Sequence, residues 1–149
     1  MSSIRRAVTS DADAIAELTR VAYTKWLPVI GHKPRPMTVD YSVAVRSHRF
    51  DLLYCEADLA GLIETVAESD CLLIENVAVH PVFQGRGFGR ALMAHAERLA
   101  VEAGFARLRL YTNAMFEVNI RLYVWLGFVI DGEETLDDGM LIHMSKRLA

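Results

Sequence analysis

The segment Gln84-Gly85-Arg86-Gly87-Phe88-Gly89 stands between a β-rich run and a helical one. The run before it, Leu72 to Val79, is apolar and β-branched, and Pro81 ends it. After it the period changes. From about Gly87 to Ala103 an apolar stripe of Phe88, Ala91, Leu92, His95, Leu99 and Ala103 recurs at helical spacing, with Arg90, Glu97, Arg98 and Glu102 opposite. Gly104 sits where a helix-closing glycine belongs. A glycine-rich turn that opens a helix has a physical use. The first-turn N–H groups lack internal partners, that end of the helix is positive, and missing Cβ atoms let a phosphate approach the backbone. Arg86 and Arg90 add charge at the rim. The turn is neither of the two common nucleotide loops. Gly85, Gly87 and Gly89 alternate while position 90 is Arg, which breaks Gly-x-Gly-x-x-Gly, and no Lys-Ser/Thr follows.

Working outward, the spacing predicts a strand over Ile4–Val8, N-cap chemistry in Thr9–Asp13, and a helix carrying Ile15, Leu18 and Ala22 to Tyr23 or Trp26. Pro28, Gly31, Pro34 and Pro36 then predict an irregular loop, with a second helix over Val39–Ser47. Asp51–Glu56, Gly61–Ala67 and Leu72–Val79 read as strands. Beyond the long helix come a strand at Arg107–Thr112, a helix at Phe116–Leu126 closed by Gly127, and strands at Phe128–Gly132 and Met140–Lys146. The order β-α-α-β-β-β-α-β-α-β-β is that of one mixed α/β (α+β) domain over residues 1–149, antiparallel in its first half with a βαβ unit in its second.

Composition agrees. At 149 residues, 52% hydrophobic and 23% charged, the chain is an ordinary globular sequence. It contains no apolar run of spanning length, which argues against a membrane partner. A net charge of −3 argues against nucleic acid as a main partner. Cys55 and Cys71 form no Cys-x-x-Cys pair, and the N-terminus has no apolar stretch behind Arg5 and Arg6; both point to a reduced, cytoplasmic chain. His32, His48 and His95 show no ligand spacing, so no metal site is expected. His80 reads as a turn residue before Pro81.

Two spaced motifs carry a resemblance. Gln84, Gly87 and Gly89 fit the turn Gln/Arg-x-x-Gly-x-Gly/Ala, and Asn119, Leu122, Tyr123, Gly127 and Phe128 fit an Asn followed by Leu-Tyr-x-x-x-Gly-Phe. With the element order, this resembles the GNAT superfamily of acyl-CoA-dependent N-acyltransferases. The resemblance implies a mostly antiparallel central sheet of six to seven strands, splayed between the fourth and fifth, flanked by about four helices. It implies acetyl-CoA as co-substrate, with its pyrophosphate on Gln84, Gly85, Arg86, Gly87, Phe88, Gly89 and Arg90. The pantetheine arm is expected against the strand edge at Val77, Ala78 and Val79, with Asn119 bonding its amide.

By the same resemblance Tyr123 is the expected proton donor to the leaving thiolate, since a phenol with a pKa near about 10 can donate at neutral pH. Glu75 is the expected base: a carboxylate on an otherwise apolar strand is costly unless hydrated or paired. Strict alternation would place Glu75 with Leu73 and Val77, opposite Asn76 and Ala78. His143 is a lesser candidate base. Tyr23, Trp26 and Tyr41 are expected to line the acceptor side, where Asp40, Asp137 and Asp138 suit a cation and Lys33 and Arg35 suit a carboxylate. The implied activity is acetyl transfer to a small-molecule amine. A protein N-terminus or lysine as acceptor, a non-catalytic acyl-CoA sensor, and a homodimer paired through the last strand remain alternatives at this stage.

Overall fold

The structure, a computed structural model, describes residues 1–148. Seven strands form one sheet in the order β1-β2-β3-β4-β5-β7-β6. They are β1 (Ser2–Arg6), β2 (Arg49–Cys55), β3 (Asp58–Ala67), β4 (Cys71–Val79), β5 (Arg107–Asn113), β6 (Val129–Leu136) and β7 (Gly139–Arg147). All neighbours run antiparallel except β4 and β5, which are parallel. Parallel neighbours need a crossover, and α4 (Phe88–Glu102) supplies it. One face of the sheet is covered by α1 (Ala12–Tyr23) and α3 (Tyr41–Ser47), which bury Ile15, Leu18, Ala22, Tyr41 and Ala44 against Phe50, Leu52, Leu62 and Ala78. The other face packs under α4 and α5 (Glu117–Trp125), through Leu92, Met93, Ala96, Ala100 and Tyr123 against Leu53, Ile63, Ile74, Leu108 and Met144.

Several expected boundaries move. β1 begins at Ser2 and ends at Arg6, because the Val8 N–H is taken by Asp11 Oδ2 at 2.8 Å and Arg5 grips that carboxylate at 2.8 and 2.9 Å. The buried stripe of α4 runs through Leu92, Met93, Ala96 and Ala100, which turns His95 and Ala103 off the core axis. The expected irregular loop is largely helical. A turn at Thr24–Trp26 leads into a one-turn α2 (Leu27–Ile30), closed by Gly31 at φ 79°, and a further turn covers Arg35–Thr38. Pro28 fits the first turn of α2, where no N–H is needed. β6 extends to Leu136, past the expected Gly132, and pairs with β7 in a tight hairpin. β7 lies inside the sheet between β5 and β6, so the free edge at this end is β6.

Two irregularities create the site. β4 and β5 pair only from Cys71–Ile74 to Arg107–Leu110; beyond this, β4 continues to Val79 and β5 to Asn113 without a shared ladder. The sheet therefore opens between its fourth and fifth strands. Within β4, Asn76 faces Glu64 while Ile74 faces Thr65, so Glu75 has no partner on β3. This is a β-bulge, and it flips the side-chain parity of everything after it. Leu72, Ile74, Val77 and Val79 belong to the core under α4, whereas Ala78 belongs to the core under α1 and α3. The alternation expected from sequence fails here: Glu75 shares a face with Asn76 and Ala78, and Val77 lies on the opposite one.

Candidate active site

The opening in the sheet holds two cavities of about 360 Å³ each. Tyr23, Val77, Asn119 and Tyr123 line both, so the cavities meet at these four residues.

The first cavity-side structure is the glycine turn. Gly87 has φ +84° and Gly85 φ +78°, conformations that side chains resist, and a Cβ on either would meet only open space. Gly87 immediately precedes α4, whose first backbone acceptor-donor pair is Ala91 N–H to the Gly87 carbonyl at 3.0 Å. No side chain caps this helix, so the N–H groups of Phe88, Gly89 and Arg90 remain free at its positive end. Gln84, Gly85, Gly87, Phe88, Gly89 and Arg90 line the cavity. Arg86 does not; its guanidinium sits 5.4 Å from both the Phe83 and Phe88 ring centres. Arg90 lies 4.8 Å above the Trp125 ring. Lys25, which the sequence reading left out, reaches Gln84 Oε1 at 3.3 Å, and burial lowers its pKa. The cradle thus has open glycines, orphan donors and nearby cations, which is the chemistry a pyrophosphate requires.

The β4 edge leads from this cradle to the junction. The Val79 carbonyl accepts from Gln84 Nε2 at 3.1 Å and the Val77 carbonyl lies 3.4 Å from the Tyr23 hydroxyl, so both face away from β3. The His80 N–H instead donates to the Ala60 carbonyl of β3 at 2.8 Å. Alternation then turns the Ala78 backbone toward β3 as well. Val77 and Val79 offer edge groups to an extended ligand arm; Ala78 contributes wall only.

At the junction Tyr123 is buried against Phe128, and burial raises its hydroxyl pKa to about 12. Tyr23 donates from its hydroxyl to Asn76 Oδ1 at 2.7 Å. Burial raises the Tyr23 pKa well above the ordinary phenol value.

The second cavity opens on the α1–α3 face. Its wall carries Glu75, which accepts a short hydrogen bond from the Tyr111 hydroxyl across the gap between β4 and β5. Arg35 lies 3.5 Å from the same hydroxyl, and Tyr111 is raised to about 12 by burial first and the Glu75 contact second. Glu64 and His48 stand on the same wall, with Glu64 Oε2 2.6 Å from His48 Nδ1. Tyr41 lines this cavity and donates to the Pro36 carbonyl at 2.7 Å.

Of the residues expected on the acceptor side, Tyr23 and Tyr41 line this cavity. Trp26 lines the other one, stacked on Phe116 at 4.2 Å. His143 points to Glu134 and Arg109, at 2.9 and 3.4 Å, and lies outside both cavities. His80 is a turn residue, accepting from the Val82 N–H at 3.2 Å. Sequence reasoning missed Tyr111 and the Glu64–His48 pair. Glu64 sits in the apolar run Leu62–Val66, the same signal that singled out Glu75.

The sheet is thus split, with a glycine cradle on one side of the opening and a polar cavity on the other. The family model described as "Acetyltransferase (GNAT) family" matches residues 13–128. The chain belongs to the GNAT family of acetyltransferases, an acyltransferase class. It is similar to the streptothricin acetyltransferase of Streptomyces lavendulae, 34% identical over 88 residues, or 58% of this chain and 47% of that one. The match thus spans about half the length of that relative. Among solved structures, nourseothricin acetyltransferase matches 99% of both chains at 25% identity and a TM-score of 0.76. The paia N-acetyltransferase of Thermoplasma acidophilum, solved with coenzyme A, matches 99% of both chains at 16% identity and a TM-score of 0.82. Among the described residues no helix is long and apolar enough to cross a membrane.

Proposed function

We propose that this chain transfers an acetyl group from acetyl-CoA to a primary amine of a small molecule, by direct attack with both substrates bound. The observation that carries the reading is the meeting of two cavities at Val77, Asn119 and Tyr123, one beneath a phosphate cradle and one lined by carboxylates. Similarity to enzymes named for streptothricin and nourseothricin supports a small acceptor.

When bound, acetyl-CoA supplies an activated thioester. The chain holds the pyrophosphate with the free N–H groups of Phe88, Gly89 and Arg90, aided by the charge of Lys25 and Arg90. Val77 and Val79 pair with the pantetheine arm, and Asn119 bonds its amide. The Val77 N–H would donate to the thioester carbonyl oxygen, where negative charge builds as the carbon is attacked. Glu75 takes a proton from the acceptor, which arrives as ammonium because an alkylamine has a pKa near about 10.4. As the C–N bond forms and the C–S bond breaks, Tyr123 gives a proton to the departing sulfur, and its phenolate takes the second proton that the acylated nitrogen must lose. Tyr111 holds Glu75 toward the gap through their hydrogen bond. A homodimer built on this end of the sheet would use β6, whose Val129 and Ile130 are exposed, and not β7.

The test is release of the free CoA thiol from acetyl-CoA across a panel of small amines and a panel of peptides. Amine-dependent release with the small panel supports the reading. Release with peptides alone moves the acceptor to protein, and release with neither leaves a binding module.

A further inference from the structure

Three acidic side chains, Glu64, Glu75 and Asp138, line the acceptor cavity alongside Lys33 and Arg35. Glu64 is 3% exposed, in the middle of β3. Its Oε2 contacts His48 Nδ1 at 2.6 Å, and its Oε1 meets no protein donor and opens toward the cavity that Glu64 lines. Across the ladder Glu64 faces Asn76, and the β4 bulge brings the adjacent Glu75 onto the same face. Two carboxylates therefore share one wall. Among the described residues, neither forms an ion pair with a lysine or arginine. The other titratable groups lining the cavity are Tyr23 on α1, Tyr41 on α3, Tyr111 on β5, Tyr123 on α5, Asp138 in the β6–β7 turn, and His32, Lys33 and Arg35 in the connecting segment. Arg35 contacts the Tyr111 hydroxyl at 3.5 Å and feels the Glu75 charge without forming an ion pair with it.

Burial raises the Glu64 pKa, the His48 hydrogen bond and charge lower it in part, and the charge on Glu75 adds a smaller upward push. A buried carboxylate that a neighbouring carboxylate also opposes is costly unless a cation joins them. His48 meets one Glu64 oxygen only. Glu64 Oε1 is left without a protein donor, and a protonated amine supplies several.

We propose that the acceptor is a diamine or a related base with two protonated amines. The first is acetylated beside Glu75 and the second is held by Glu64. This rests on the acetyl-transfer reading and names its substrate class. Groups on adjacent strands of one face lie roughly 5–8 Å apart, the span of about three to five methylenes between two nitrogens.

The test compares 1,3-diaminopropane, 1,4-diaminobutane and 1,5-diaminopentane with propylamine, butylamine and pentylamine, in the wild-type chain and in Glu64→Gln. The wild type is expected to favour the best diamine over its matched monoamine by about tenfold or more in kcat/KM, mainly through KM. In Glu64→Gln that ratio is expected to fall toward one, and Glu64→Asp, which keeps the charge, is expected to restore part of it. Equal wild-type rates for diamines and monoamines overturn the proposal while leaving acetyl transfer intact, and need no variant. A diamine preference that survives Glu64→Gln, in a variant whose melting temperature still rises with acetyl-CoA, also overturns it. Failure to acetylate any amine overturns this proposal and the functional reading together.

Discussion

At the scale of single residues, the site depends on which protons stay where they are. Tyr123 is buried, and burial alone raises its hydroxyl to about 12. It therefore remains protonated across the range where most enzymes are assayed, as a donor to a leaving thiolate must. Its loss as phenylalanine keeps the ring that packs on Phe128 and removes only the donor. Tyr123→Phe is expected to lower kcat by about 100-fold or more, the usual scale for one general acid, with acetyl-CoA affinity unchanged within about twofold. The sign of the pH effect follows from the raised pKa. Activity should not fall on the alkaline side until the pH approaches that of the hydroxyl. An alkaline limb in wild-type kcat near pH 8 to 9 that persists in Tyr123→Phe would assign it to another group. The position of Tyr123 and Asn119 at the opening was legible in the sequence because they lie in a spaced motif. Tyr111 was not, because an aromatic in the polar face of an alternating strand looks like any half-exposed strand residue until the gap beside β4 brings Glu75 to it.

At the scale of elements, β3, β4 and α4 are packed against one another with little room. A Cβ on Gly61 of β3 would lie 3.0 Å from the Ala78 carbonyl oxygen and 3.0 Å from Leu92 Cδ1. One obstacle is backbone and the other is a fully buried side chain of α4. Gly61→Ala is thus expected to destabilise the fold by about 1–3 kcal/mol, the usual range for overpacking. Because relief requires α4 to move off the sheet, and the glycine turn is the start of α4, acetyl-CoA affinity should fall as well. Thermal melts with and without acetyl-CoA check both. An unchanged melt would mean that Leu92 yields and that α4 is looser than its packing implies. The elements themselves were readable from periodicity, and the glycine turn from its residues. The bulge was not. A period of two assumes that no residue is added, so one unpaired position at Glu75 reverses every later side chain. It was this reversal that moved Val77 away from Glu75 and set Glu75 beside Asn76. The segment from Thr24 to Thr38 failed for another reason: its prolines stand at the starts of short helical turns, where proline breaks nothing.

At the scale of the whole molecule, the sheet is two pieces joined over a short length. β1 to β4 form one and β5 to β7 the other, and the shared ladder covers only Cys71–Ile74 with Arg107–Leu110. Past that point the pieces are held by the Glu75–Tyr111 bond and by α4 and α5 packing beneath. A ligand seated in the opening contacts both pieces at once, through Val77 and Val79 on one side and Asn119 and Tyr123 on the other. It binds the folded chain and not the unfolded one, so it must raise the melting temperature. At about 100 times its dissociation constant acetyl-CoA should add roughly 2.7 kcal/mol. For a chain near this size that corresponds to a rise of about 5–10 °C. ATP and NAD, which share an adenosine and a pyrophosphate with CoA but lack the pantetheine arm, should add much less. A rise with acetyl-CoA alone would tie the binding energy to the opening between β4 and β5. Equal rises with all three ligands would assign it to the glycine cradle alone, and with it would go the role given to the free edge of β4.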